Sequence, residues 1–248
     1  MILLPAIDII NGKAVRLARG DFAQQTHYDD DPLEAARRWV QAGARALHVV
    51  DLDGARTGRP TNTAHIRRIV EAVDVPVQVG GGLRSLQALH AVAQTGATGL
   101  VLGTAAFTDE RLLSAALDRF PDRIIVSVDA REGHVATAGW TQNSELTVAD
   151  ALGSLQASGV RRFVYSSIER DGMLAGPDLD GLIKAVGCVT GSITYSGGVG
   201  SLYDLESLAA LRHPQMTAVI VGMAIYERRF DVGAAQALLD RYQPWKLR

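Results

Sequence analysis

Eight apolar, β-branched runs punctuate the chain, at 2–8, 46–51, 76–80, 99–103, 123–129, 162–167, 192–196 and 218–222. They are continuous rather than alternating, as expected of parallel strands buried on both faces. Between them lie segments with helical spacing of apolar positions. The first, "DDPLEAARRWVQAG", carries Asp31 as N-cap, Pro32 at the first helical position, Glu34 at the capping-box position and Gly43 as its stop. Segments 61–73, 85–96, 108–118, 147–158, 178–186, 201–212 and 232–243 behave similarly. Eight strand–helix units without a Pro/Ser-rich linker predict one α/β domain over 1–248, a (β/α)8 TIM barrel. The alternative is an open doubly wound sheet. The lack of GxGxxG after the first strand weighs against it.

The pattern also repeats. "LLPAIDIINGKAV" and "IIVSVDAREGHV" each end an apolar run on an aspartate, Asp8 and Asp129, with glycine four residues later. "VQVGGGLRSLQAL" matches "TYSGGVGSLYDL", setting Gly81 and Gly82 against Gly197 and Gly198. "LVLGTAAF" matches "VIVGMAIY", Gly103 against Gly222, and "AGARALHVVD" matches "SGVRRFVYSS", Asp51 against Ser167. One four-unit half-barrel written twice, roughly 1–122 and 123–248, accounts for these pairs.

Composition narrows the function. With 47% hydrophobic residues, the 248-residue chain can fill a substantial core. A net charge of −2 supplies no basic excess for nucleic acid or a membrane surface. No apolar run approaches the ~18 residues of a membrane span, and Asp8 comes too early for a signal peptide. Cys188 is the single cysteine, so no intramolecular disulfide is expected and a reducing cytoplasm is. The six histidines lack metal-ligand spacing, and no metal is expected.

In a barrel, residues at the C-terminal ends of strands face the active site. Asp8 ends the first strand and Asp129 the fifth, on opposite sides of the mouth. Facing carboxylates suit proton removal on one side of a substrate and proton donation on the other. One aspartate alone reads more readily as a turn cap; the symmetric pair favours chemistry. The glycines form a second constellation: Gly80, Gly81 and Gly82 after the third strand, Gly103 and Thr104 after the fourth, Gly197 and Gly198 after the seventh, Gly222 after the eighth. Glycine admits close backbone approach to an anion. Two copies imply a small-molecule substrate with a phosphate at each end, one near Gly82, Gly103 and Thr104, the other near Gly176, Gly198 and Gly222. Lys13, Lys184 and Lys246 are the only lysines, none at a strand end, so a Schiff-base aldolase is not expected. No GxSxG elbow is present either.

Along nearly its whole length the chain resembles a known family. "LLPAIDIINGKAVRL", "LHVVDLDGA", "VPVQVGGGLRS", "VSVDAREGHVATAGW", "SSIERDGMLAGPD", "YSGGVGS" and "VIVGMAIY" are similar to the aminoaldose–ketose isomerases of histidine biosynthesis, the HisA family. These are the phosphoribosylformimino-5-aminoimidazole carboxamide ribotide isomerases. The resemblance implies an Amadori rearrangement without a cofactor, on a bisphosphorylated substrate, by an enzyme expected to work as a monomer. It makes Asp8 the general base at C2′ and Asp129 the general acid at the furanose ring oxygen. It places Ser166 as a hydrogen-bond donor to the opening sugar and Trp140 where it can stack on the aminoimidazole carboxamide. It brings Arg16 to the site. For His48 two readings stand, a substrate contact or a core histidine, because alternation sets it on the opposite face from Asp51.

The chain departs from the family pattern at Ser167, where relatives often have aspartate, at Met173, often threonine, and at Met223, often a basic residue. The sister cyclase is a rival, but its first strand resembles Cys-Leu-Asp, not Ala6-Ile7-Asp8. A dual-substrate relative that also isomerises phosphoribosylanthranilate is another, suggested by "AIYERRF". Such enzymes resemble one another in an arginine before the Gly-Trp of the loop after the fifth strand, where this chain has Ala138. Poor use of phosphoribosylanthranilate is therefore expected.

Overall fold

A computed structural model describes residues 1–137, 139–140 and 142–242, and shows the expected barrel closed. Ala138, Thr141 and residues 243–248 lie outside the described residues. In chain order the elements are β1 (Ile2–Ile10), β2 (Lys13–Ala18), β3 (Asp21–Asp29), α1 (Pro32–Gln41), β4 (Leu47–Asp51), α2 (Leu52–Thr57) and α3 (Thr63–Ala72). Then follow β5 (Val77–Gly80), α4 (Leu86–Ala93), β6 (Gly99–Leu102), α5 (Ala105–Thr108), α6 (Glu110–Arg119), β7 (Ile124–Arg131), β8 (His134–Thr137), β9 (Gln142–Thr147) and α7 (Val148–Ala157). The last are β10 (Arg162–Ser167), α8 (Leu179–Gly187), β11 (Ser192–Ser196), α9 (Leu202–Ala210), β12 (Met216–Val221), α10 (Met223–Tyr226) and α11 (Val232–Arg241).

Eight parallel strands run β1-β4-β5-β6-β7-β10-β11-β12, and pairings β12–β1 and β10–β7 close the ring. These eight coincide with the apolar runs to within two residues at each end. The helices agree as well. Asp31 accepts from the Leu33 N–H at 3.1 Å and Pro32 opens α1, while Gly43 beyond its end takes φ 99°. Two hairpins were not anticipated. The segment after β1 continues antiparallel as β2 and β3, and the segment after β7 as β8 and β9. They carry polar residues among short apolar stretches, so the pattern that finds buried strands passes over them.

Strand alternation divides the core. On β1, Leu3, Ile7 and Ile9 face the helices and join the large outer cluster, while Leu4 and Ala6 face inward. The interior plug is Leu4, Ala6, Val101, Ile125, Val164, Ala218 and Ile220. Asp8 is two residues above Ala6 on the same face, and Asp129 stands above Ile125 and Ser127 in the same way. Period two therefore lifts each carboxylate to the top of its strand's inward face, above the apolar plug.

Candidate active site

β1 and β7 are four strands apart in either direction around the ring, so Asp8 and Asp129 face each other across the mouth. The β2 strand folds back beside β1 and delivers Arg16. Its Nη1 donates to Asp8 Oδ2 at 2.8 Å, with both side chains nearly fully buried. Its Nη2 lies 3.8 Å from Asp171 Oδ1, a carboxylate on the loop after β10. On the far side Ser127 Oγ donates to Asp129 Oδ1 at 2.6 Å, and Ser166 is the register neighbour of Asp129. A row of charged groups, Asp8–Arg16–Asp171–Asp129, thus spans the mouth, its last two members both carboxylates.

Burial dominates the electrostatics. It raises the Asp8 carboxyl from 3.8 to about 6; Arg16 draws it down and Asp171 pushes it up. Asp171 is also raised, by burial first, then by Asp129, against the pull of Arg16. Burial and the nearby Arg16 cation lower His48 to about 4, so it is neutral near pH 7.

Several sequence-based placements change. Asp51 points outward and is fully buried between barrel and helices. There it accepts from the N–H groups of Gly54, Thr61 and Asn62 and from the Asn62 side chain. Being on the opposite face from Asp51 therefore puts His48 inside the barrel, in the layer of Ala6 and Gln78 and beneath Asp8. Its Nδ1 is 2.8 Å from Gln78 Nε2. Ser167, next along from the inward Ser166, is buried and faces outward as Asp51 does. Its difference from relatives lies behind the site, not in it. Trp140, at φ 73°, lies across the tip of the first hairpin. A β-carbon on Gly20 would collide with its ring.

The glycines divide by cause. Gly81 and Gly197 have φ 102° and 110°, and a β-carbon on either would strike the backbone of Asp51 or Ser167. Gly82 and Gly198 likewise abut the carbonyls of Gly54 and Gly176. Positive φ and close backbone packing both demand glycine there. The Gly176 N–H is donated to the Gly198 carbonyl at 2.9 Å, so Gly176 shapes this turn. Gly80 ends β5 facing inward, its missing β-carbon 3.4 Å from Val101. Gly103 faces open space and Thr104 heads α5, whereas the space before Gly222 is filled by the Arg16 guanidinium. Asp171 is the member that sequence reasoning missed. Asp171 lies within the family-like stretch "SSIERDGMLAGPD", but nothing local shows that this loop folds back to Arg16.

Fold and site together define a (β/α)8 barrel with two facing carboxylates at its mouth. The chain belongs to the histidine biosynthesis protein family, whose model matches residues 2–231. Its relatives include proteins named 1-(5-phosphoribosyl)-5-((5-phosphoribosylamino)methylideneamino) imidazole-4-carboxamide isomerase. The one from Thermomicrobium roseum is 48% identical over 233 residues, covering 92% of this chain and 93% of the relative. That from Chloroflexus aggregans is 46% identical over 226 residues, covering 91% and 92%. That from Gloeothece citriformis is 43% identical over 235 residues, covering 95% and 91%. Among the described residues no helix is long and apolar enough to cross a membrane.

Proposed function

We propose that this chain isomerises the aminoaldose named in its relatives to the corresponding aminoketose. The observation that carries the reading is the diametric placement of Asp8 and Asp129 between two pairs of positive-φ glycine turns. Asp129 donates a proton to the furanose ring oxygen, the C1′–O bond breaks, and the anomeric carbon becomes a protonated imine. Asp8 removes the C2′ proton, and the electron pair released neutralises the imine to give an enol-amine. Tautomerisation then yields the C2′ ketone. Ser166, beside Asp129, is placed to hydrogen-bond the opening sugar. Burial holds the Asp171 carboxyl above its usual value, while Arg16 draws Asp8 toward its ionised form.

The glycine turns suit a phosphate at each end of the substrate, near Gly82, Gly103 and Thr104 and near Gly198 and Gly222. The sole cysteine, Cys188, suits a reducing cytoplasm. Purified enzyme should convert the aminoaldose, and a crystal of its substrate complex should show both phosphates. No turnover, or only one glycine end in contact with phosphate, would refute this reading.

The raised Asp8 pKa sets activity and stability in opposition. A general base must be ionised, so kcat/KM should fall about tenfold per pH unit as pH drops below about 6. Stability runs the other way. A carboxyl whose folded pKa exceeds its unfolded value contributes stability below pH 3.8, and this is lost as pH rises through about 6. Asp8→Asn does not titrate. It should match wild type near pH 4 and exceed it by up to about 3 kcal/mol above pH 6.5. Urea unfolding at the two pH values measures this. A variant less stable than wild type at pH 7.5 would contradict it.

A further inference from the structure

A cleft of about 300 Å³ opens between the first hairpin and the ends of β11 and β12. Arg16, Asp171, Gly198, Val199, Gly222 and Met223 are among its walls. One wall is anionic, and Met223 leaves the position after Gly222 without charge. An anion here needs a cation, because a phosphate beside a buried carboxylate is otherwise repelled and desolvated. Arg170 is near, but its Nη1 donates to the Ala175 carbonyl on the exposed side.

Arg16 is differently placed. Its Nη1 is taken by Asp8, its Nη2 is beyond hydrogen-bond reach of Asp171, and its buried Nε has no partner. A guanidinium presents a planar fork of donors, and the Nε–Nη2 edge is the one that binds an oxyanion bidentately. The guanidinium lies against Gly222 in the wall of the cleft: a β-carbon there would meet Cζ first, with Nη2 at 2.5 Å and Nε at 2.6 Å. The hairpin is fastened to the segment after Gly222, since Tyr28 bonds Glu227 at 2.6 Å and its ring lies 4.5 Å from that of Tyr226. Arg19 N–H, further along, holds the Asp171 carbonyl at 3.1 Å.

We infer that the Nε–Nη2 edge of Arg16 is the cationic contact for the substrate phosphate at the β11–β12 end of the mouth, while its Nη1 stays on Asp8. One guanidinium then binds phosphate and positions the base, and Gly222 is glycine to make room for it. The inference rests on the two-phosphate substrate proposed above.

The test uses four proteins: wild type, Arg16→Gln, Gly222→Ala and the double variant Arg16→Gln with Met223→Lys. Each is crystallised with inorganic phosphate, assayed with the aminoaldose and checked for folding by circular dichroism. Wild type should hold two anions. Arg16→Gln should keep only the one near Gly82 and Gly103, with KM raised roughly 10- to 100-fold and kcat also reduced. Adding Met223→Lys should restore the second anion and lower KM again. It should leave kcat low, because the lysine does not hold Asp8. Gly222→Ala should lose the second anion although Arg16 is present. A second anion persisting in Arg16→Gln, or a fall in kcat with KM unchanged, would make Arg16 a counter-ion of Asp8 alone and overturn the inference. Wild type without turnover and without any bound anion would instead remove the functional reading itself.

Discussion

Asp8→Asn and Asp129→Asn each lower kcat by ~10²–10⁴-fold or more while the barrel stays folded. Asparagine keeps the shape of each side chain and removes its proton chemistry. Asp8 is paired at 2.8 Å with Arg16, and Asp129 accepts from Ser127 at 2.6 Å, so each is held in place before substrate arrives. Each sits at the mouth end of a barrel strand, above the apolar plug, so neither substitution removes apolar packing. The two differ in one readout. Losing the base should let the ring open and stop before the C2′ proton leaves, whereas losing the acid should block ring opening itself. Steady-state turnover, circular dichroism and a search for the ring-opened imine in single-turnover mixtures check this. Either variant keeping more than a tenth of wild-type kcat would remove its assigned role.

Phosphoribosylanthranilate should be used at least ~100-fold less efficiently in kcat/KM than the histidine-pathway substrate. Its anthranilate carboxylate must find a cation or be desolvated unpaired, at a cost of several kcal/mol. Arg16 is engaged with Asp8 and faces the β11–β12 end. Arg131 donates from Nη2 to the Trp140 carbonyl at 3.1 Å, tying β7 to the hairpin loop. Ala138, before Gly139 and Trp140, lies outside the described residues, and its side chain carries no charge in any conformation. Ser167 does not bear on the question, since it is buried and faces away from the mouth. The relatives compared are named for an imidazole-4-carboxamide isomerase. Comparable kcat/KM values on the two substrates would show that another cation reaches the carboxylate.

Much of this protein was legible in one dimension. Burial on both faces leaves a continuous apolar run, so all eight barrel strands could be read from hydrophobicity alone. Helix punctuation is local chemistry, and Asp31, Pro32 and Gly43 act where their positions in the chain suggest. Asp8 and Asp129 stood out because an aspartate ending an apolar run, with glycine four residues later, recurs at matching places in the two halves. Gly81, Gly82, Gly197 and Gly198 stood out for the same reason.

What the tertiary structure decided is which face each strand residue turns to and which loops meet. Asp51 ends a strand just as Asp8 does, yet its parity turns it outward, and only the closed ring says which parity is inside. The β2–β3 hairpin brings Arg16 to Asp8, and a loop 155 residues further along brings Asp171 to Arg16. No local pattern encodes that meeting, because the partners share neither a strand nor a helix turn. The charge chain across the mouth, the raised Asp8 carboxyl and the free edge of Arg16 all depend on burial. Burial is a property of the assembled barrel, which removes water from groups that the sequence lists only as charged.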